Sequence, residues 1–478
     1  MTALTTGRQP PAMMSATTVL ASLVAAATAA VAVTLPASDS DLFWHLASGD
    51  WMLVHGRLLD HDVFSFTRAG QPYASGQWLG QILLALAFRG GGWVGIEVLR
   101  AVLVGFCAFF ITRATLRLRP HPFWALPPVL LALLVTKITW GDRPQLFTLA
   151  LFALLLDLLL AARLEGRTRR LVLVPLLFLG WANLHGAFVV GLVLVALFLV
   201  EALLTEARRR PFAAALIAAA AASQLNPAAG GALGWAVAYA ATPAALIIEE
   251  RPPDILGGPG LVFAVLLLTA LGAALVLGRE GVTRAVGAPL LWPVLLVPFA
   301  LLGLAIQRQL PLACMILAPF LAAALPAALG RRRVAAPRLK RSVGLGLCIA
   351  FVCCAGVVAA LFAPRAPDLA AYPAAALPYL RPGSGNILNE YDWGGYLIHA
   401  APGTPVFIDG RGALLFSWGV QDDLERAVHV RPGFRDPLSA WDIRLVLLRP
   451  GRPLVEVLQA DGWRTLARGD RFVLLERP

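Results

Sequence analysis

Asp39 and Asp41 stand two residues apart in the stretch Ser38-Asp39-Ser40-Asp41-Leu42-Phe43-Trp44-His45-Leu46, directly after the apolar run Thr17 to Leu35. Two carboxylates, an indole and an imidazole at the mouth of a membrane-length segment carry a desolvation cost that calls for a function. In an extended segment, residues two apart point the same way, so both acids can face one ligand. One of them can take a proton from a hydroxyl group, with its pKa raised by low-dielectric surroundings or by the second acid. The pair can equally hold Mg2+ or Mn2+ through oxygen. A structural reading stands beside these: Ser38 or Asp39 caps a helix running through Gly49, with aspartates at the positive end of its dipole.

Other residues offer compatible chemistry. Asp142-Arg143 and Gln307-Arg308 place guanidinium groups at segment ends. An arginine fork suits phosphate, so a lipid-linked phosphate or diphosphate is a natural ligand, and anchoring to lipid headgroups is the alternative. Trp44, Trp51 and Trp78 offer faces for sugar stacking or form an interfacial aromatic belt. Asn183 and His185 follow Trp181 at a tight turn with Gly186; His185 is a phosphate donor, a metal ligand or a packing histidine. Near the C-terminus, Asp392 and Trp393 lie in Asn389-Glu390-Tyr391-Asp392-Trp393-Gly394-Gly395-Tyr396, and Asp409 and Arg411 in Phe407-Ile408-Asp409-Gly410-Arg411. Strand ends of this kind carry ligand contacts in α/β folds. The structural reading is that Asp409 caps a turn and pairs with Arg411.

The elements that must position these residues are set by composition. Of 478 residues, 58% are hydrophobic and 14% charged, with mean hydropathy +0.73. Soluble domains carry about a quarter charged residues, so the chain is a polytopic α-helical membrane protein. The net charge of +12 is dispersed in short clusters between apolar runs, which excludes a nucleic-acid surface. The cysteines, Cys107, Cys314, Cys348, Cys353 and Cys354, all lie in apolar segments and read as small hydrophobes.

Counting apolar runs gives about eleven spans, the first of them uncleaved. They are Thr17 to Leu35, Trp93 to Ile111, Phe123 to Thr136, Leu146 to Leu160, Leu171 to Trp181, Phe188 to Leu204, Phe212 to Ala222, Leu261 to Leu277, Leu290 to Ile306, Pro311 to Leu329 and Val343 to Phe362. Residues 231–248 either span or lie flat in the interface, and the charge rule favours the flat helix. The transmembrane domain is then 1–363 with a large first external loop, 37–92, containing an amphipathic piece from Gln77 to Phe88. Residues 364–478 form an extracytoplasmic α/β domain, with strands expected at Ile387 to Asn389, Pro405 to Asp409, Ile443 to Leu448, Trp463 to Ala467 and Phe472 to Leu475. The N-terminus lies inside, with the basic clusters. Asp39, Asp41, His45, Asp142, Arg143, Asn183, His185, Asn226, Glu249, Glu250, Gln307 and Arg308 gather on the opposite face, as the lining of one shared wet cavity.

With these blocks in place, the chain resembles the GT-C superfamily of integral-membrane glycosyltransferases, which carry an acidic motif in the first external loop. It is most similar to a group of uncharacterised bacterial polytopic membrane proteins. That pattern runs Asp41-Leu42-Phe43-Trp44-His45-Leu46, Asp62-x-Phe64-Ser65, Arg143-Pro144-Gln145-Leu146, Trp181-Ala182-Asn183-Leu184-His185-Gly186, Asn226-Pro227, Tyr391-Asp392-Trp393-Gly394-Gly395-Tyr396-Leu397 and Phe407-Ile408-Asp409-Gly410-Arg411. The Tyr391 to Tyr396 block is similar to the acceptor-recognition motif of oligosaccharyltransferases, without its paired tryptophans. The resemblance implies an inverting glycosyltransferase in the bacterial cytoplasmic (inner) membrane. It would move a sugar from a polyprenyl-phosphate-linked donor to an extracytoplasmic acceptor. Asp39 or Asp41 would be the general base, with Mg2+ or Mn2+ on that pair. Trp44, His45, Asp142, Arg143, Asn183, His185 and Arg308 would bind substrate.

Two other classes compete. A transporter or flippase of a lipid-linked or anionic substrate predicts charges in mid-span and paired inverted repeats. The sequence shows no repeat, and its mid-span positions read as clean apart from Asp157. A non-catalytic membrane scaffold predicts that the Asp39 to His45 loop tolerates substitution.

Overall fold

The computed structural model describes residues 13–73, 75–119, 121–227, 231–234, 248–331, 338–412, 415–416 and 418–478. Most of the expected 231–248 segment lies outside them. All eleven expected apolar segments are helical. They are α1 (Ala16–Val33), α3 (Trp78–Leu118), α4 (Pro122–Thr136), α5 (Gln145–Leu164), α6 (Leu173–Leu184), α7 (Phe188–Leu204), α8 (Arg209–Ser223), α9 (Gly258–Val286), α10 (Leu291–Ala305), α11 (Leu310–Ala328) and α12 (Arg341–Phe362). α2 (Ser40–His55) lies in the loop expected to be external, between α1 and α3.

Among the described residues, seven helices are long and apolar enough to cross a membrane: α1, α3, α4 with its 3-10 extension to Thr139, α5, α9, α11 with its lead-in from Gln307, and α12. The other four are shorter. At 1.5 Å per residue, the 12 residues of α6 reach about 18 Å against a hydrocarbon core of about 30 Å. The count of eleven full spans is therefore not what the helix lengths give.

Position in the bundle follows from side-chain pattern. α11 is apolar on every face and 89% of its hydropathic window is buried; it forms the centre, against α3, α4, α9 and α10. α12 buries none of its window and packs on α1. Backbone pairing of Met13–Ser15 (β1) with Arg338–Lys340 (β2) brings the starts of α1 and α12 to one side. α3 is broken at Gly92, whose φ of 57° is open to glycine. That break separates the amphipathic piece expected at Gln77 to Phe88 from the span proper.

Mid-span charge is less sparse than the sequence suggests, because Glu97 and Arg100 lie within α3 and are fully buried. Asp157 of α5 is also buried and pairs with Arg113 and Arg117 of α3. Arg163 pairs with Glu201 of α7 at 2.5 Å. These contacts tie helices together near their basic ends.

The C-terminal domain is α/β. Its sheet has the order β3-β4-β6-β5, with β3 (Asn386–Asn389) parallel to β4 (Ile443–Leu448), and β4 and β5 (Arg464–Arg468) antiparallel to β6 (Val473–Glu476). Helices α13 (Tyr391–Ala400), α14 (Trp418–Val428), α15 (Arg435–Ala440) and α16 (Pro453–Ala460) cover it. The strand expected at Pro405 to Asp409 does not form. Pro405 has no N–H to donate, and only isolated bridges involve Val406, to Ser65 and Ile387. Side chains take over from the ladder. Asn389 Nδ2 donates to Ile408 O at 2.9 Å, and Asn389 Oδ1 accepts from Phe407 N at 2.9 Å.

The loop between α1 and α3 is built into this domain. Val406 exchanges backbone hydrogen bonds with Phe64 and Phe66, and Thr67 Oγ1 donates to Phe407 O at 2.7 Å. Phe43 of α2 packs edge-on against Tyr372 and Tyr396, at 5.1 and 5.2 Å between ring centres. α2 is thus clamped between α3 and α13.

Candidate functional site

α2 starts where Asp39 caps it: Asp39 Oδ1 accepts from Asp41 N at 3.0 Å. It ends at Gly56, in the left-handed region. The capping geometry is real and coexists with exposure of the second acid to a site. Asp41 Oδ1 accepts from Trp44 Nε1 at 3.0 Å, and Asp41 Oδ2 from Arg143 Nη1 at 3.0 Å. Asp39 Oδ2 lies 3.3 Å from Arg143 Nε. The third arm of the same guanidinium reaches Glu249 Oε1 at 2.5 Å. Arg308 pairs with Glu250 at 2.6 Å. Burial, with Asp39 adding to it, raises Asp41 to about 6, against the opposing pull of Arg143. Desolvation acts against the Arg143 charge, yet the three carboxylates hold it firmly protonated.

Two imidazoles complete the cluster. His45 and His185 are both held well below their ordinary range, first by burial; Arg143 adds to this at His45, and Arg308 and then Arg143 at His185, which falls to about 3. Their partners assign the tautomers. Trp181 Nε1 can only donate, and it gives its proton to Thr148 Oγ1 at 2.9 Å. Thr148 in turn donates to His185 Nδ1 at 2.9 Å, and Ala187 N also points at that nitrogen, at 3.3 Å. The proton of neutral His185 therefore sits on Nε2. Gln81 Nε2 meets His45 Nδ1 at 3.2 Å and leaves His45 the same tautomer.

The remaining candidates take other positions. Asp142 is bidentate with Arg100, at 2.9 and 2.8 Å, and Arg100 also donates to Ala32 O and Leu35 O. This pair seats the loop after α4 against the end of α1 and thereby aims Arg143. Burial raises Asp142 to about 7, with Arg100 pulling the other way. Asn183 holds Trp78 Nε1 at 2.7 Å and donates to Leu179 O and Leu225 O, so its amide fastens turns. Trp44 is 4% exposed and lies tilted by 35° against His45 with ring centres 3.6 Å apart; it orients Asp41 and offers no open face.

In the C-terminal domain, Arg411 forks onto Asp409 at 2.8 and 2.6 Å and also pairs with Asp62. All three side chains in this weld between loop and domain are buried. Asp392 pairs with Arg449 at 2.9 Å at the surface, and Trp393 is buried with its N–H on Ala371 O. None of these four meets the acid cluster directly. Their neighbours do: a Cβ at Gly410 would press on Asp41 Oδ1 and lie 2.8 Å from Trp44 Nε1, and one at Gly395 would lie 3.0 Å from Ser40 O. Gly410→Ala should therefore displace Asp41. We expect at least a tenfold loss of activity, roughly the effect of a misplacement near 1 Å, with thermal stability changed little; unaltered turnover would show that Asp41 tolerates the displacement.

Glu249 and Glu250, expected among the cavity lining, join the cluster through Arg143 and Arg308, and Arg100, Gln81, Thr148, Gly395 and Gly410 complete the arrangement beyond the candidates named from sequence. A charge in an apolar run was the available signal for Arg100; the others carry none that a single sequence reveals. Leu134, Lys137, Ile138, Gly258, Pro259 and Val262 line a mainly apolar cavity of 450 Å³; Lys137 lies six residues before Arg143 in the chain. The acid pair does not form a metal site as arranged: the Arg143 guanidinium bridges the carboxylates, and among the described residues no three His, Cys, Asp or Glu side chains are placed to hold an ion.

No family model matches this chain, and no curated protein matches it. Solved structures do. The apo oligosaccharyltransferase of Archaeoglobus fulgidus superposes with a TM-score of 0.55 at 12% identity, over 90% of this chain and 69% of that one. The same archaeal enzyme tethered to an acceptor peptide containing the NVT sequon gives 0.53, and AglB in complex with an inhibitory peptide and a dolichol-phosphate gives 0.52, with identical coverage and identity. The likeness establishes a fold shared with these archaeal oligosaccharyltransferase structures.

Proposed function

We propose that the protein is a membrane glycosyltransferase that moves a sugar from a polyprenyl-phosphate-linked donor to a hydroxyl-bearing acceptor outside the bacterial cytoplasmic membrane. The observation that carries this reading is the meeting of Asp39, Asp41 and Glu249 on Arg143 beside Arg308 and two neutral histidines. The oligosaccharyltransferase-like fold and the apolar cavity next to Lys137, suited to a lipid chain and its phosphate, support it.

In the reaction, the acceptor oxygen attacks the anomeric carbon. The new C–O bond forms as the bond to the lipid phosphate breaks, and the electron pair of that bond leaves with the phosphate. Asp41 takes the hydroxyl proton, because its pKa near 6 suits a base at neutral pH. Asp39 caps α2 and fixes Asp41. Arg143 and Arg308 receive the departing phosphate, and His185, protonated on Nε2, can donate to it. Attack opposite the leaving group inverts the anomeric centre. A divalent ion on the acid pair is not needed for any of these steps, because the Arg143 guanidinium already bridges the two aspartates. Turnover should survive chelation by EDTA; loss that Mg2+ or Mn2+ restores would show an ion displacing the guanidinium.

The test is release of polyprenyl phosphate from polyprenyl-phosphate-linked sugars by the purified protein in lipid nanodiscs. Release with transfer to an added acceptor is expected. Translocation of the lipid-linked sugar across vesicles without release would overturn the assignment in favour of a flippase.

A further inference from the structure

Glu249 and Glu250 are consecutive, lie in one 3-10 turn (Ile248–Glu250), and each holds a different arginine of the site. Glu249 reaches Arg143 at 2.5 Å and Glu250 reaches Arg308 at 2.6 Å. The turn is pinned against the Gln307–Gln309 turn by Gln307 N donating to Arg251 O at 2.9 Å. Two linked anionic groups are thus presented to two guanidinium groups. We infer that this Glu249-Glu250 pair is a built-in stand-in for the donor's head group, and that the head group is a diphosphate with one phosphate for each arginine. The inference rests on the phosphate-binding role of Arg143 and Arg308 proposed above.

Charge supports it. Asp39, Asp41 and Glu249 surround the single guanidinium of Arg143, an excess of two negative charges. An incoming phosphate meets like charge unless one carboxylate departs. Asp39 is tied into the α2 cap and Asp41 is held by Trp44, whereas Glu249 is 41% exposed and has the easiest exit. When the diphosphate arrives, Glu249 and Glu250 give way to it together. A monophosphate engages one arginine and leaves the other with its carboxylate. The pair therefore acts as a filter as well as a placeholder, since displacing both carboxylates requires both phosphates.

The arrangement is tested by binding of undecaprenyl diphosphate and undecaprenyl monophosphate to the full chain in nanodiscs. Wild type, E249Q/E250Q and R308Q are compared. If the pair occupies the arginines in about nine molecules of ten, removing its charge tightens diphosphate binding about tenfold. Monophosphate binding tightens less, and R308Q weakens the diphosphate more than the monophosphate. Should the double variant fail to assemble, E249Q and E250Q alone carry the same prediction at smaller size. Unchanged diphosphate affinity, or equal tightening for both lipids, overturns the inference and leaves the transferase reading standing. Binding of neither lipid by any of the proteins overturns both.

Discussion

Asp41→Asn should lower sugar transfer by about 10²–10⁴-fold, the usual contribution of a positioned general base, while the protein remains folded. The neutral amide keeps the size of the carboxylate, and its single oxygen can accept from Trp44 or from Arg143, though not from both as the two carboxylate oxygens do; the loss should appear chiefly in kcat. Asp39→Asn should behave differently. An asparagine caps helices about as well as an aspartate, so α2 should persist and activity should fall less. The wild-type profile adds an independent readout. Asp41 must be ionised to accept a proton, and burial sets its pKa near 6. Activity should therefore rise with pH through about 6 and be lost below it. A flat profile from pH 5 to 8, or full turnover by the asparagine variant, would remove Asp41 from the chemistry.

Arg411→Met should be the most destabilising single change outside the membrane helices. It leaves Asp62 and Asp409 buried with no cation between them, and removing one partner of a buried ionic group costs about 3–5 kcal/mol. The rings of Phe64, Tyr73 and Phe416 around the guanidinium offer no replacement charge. Limited proteolysis should cut the C-terminal domain, and transfer should disappear with it. Arg411→Lys keeps the charge but cannot fork onto Asp409 while reaching Asp62, so an intermediate loss is expected. Wild-type protease resistance in Arg411→Met would show that the loop and the domain are held by other contacts.

The acid cluster was legible because polar residues beside membrane-length apolar runs are costly and stand out. Asp39, Asp41, Arg143, His185 and Arg308 do come together, though they are drawn from four separate segments of the chain. Their partners were less visible. Arg100 sits in an apolar run that reads as continuous, and its need for Asp142 appears only when α1, α3 and the loop after α4 meet. The blocks around Asp392 and Asp409 stood out for a different reason from the one their chemistry suggested. Gly395 and Gly410 permit close contact with α2, and Arg411 joins two elements. Helix existence followed from hydropathy, whereas span number did not, because α6, α7, α8 and α10 are apolar yet short. The failed strand at Pro405 to Asp409 shows the limit of composition: its apolar residues are buried, but Asn389 supplies the hydrogen bonds that a neighbouring strand would have given.

The weld between Asp62 and Arg411 joins residues 349 positions apart. During synthesis, the loop between α1 and α3 emerges early and waits for a counter-ion that is made 349 residues later. Until then, Asp62 has no arginine and α2 has no α13 against it. A ribosome that stops short of the C-terminal domain leaves a membrane bundle whose acidic loop is unassembled and inert. The acidic loop is therefore assembled only after the C-terminal domain has been made.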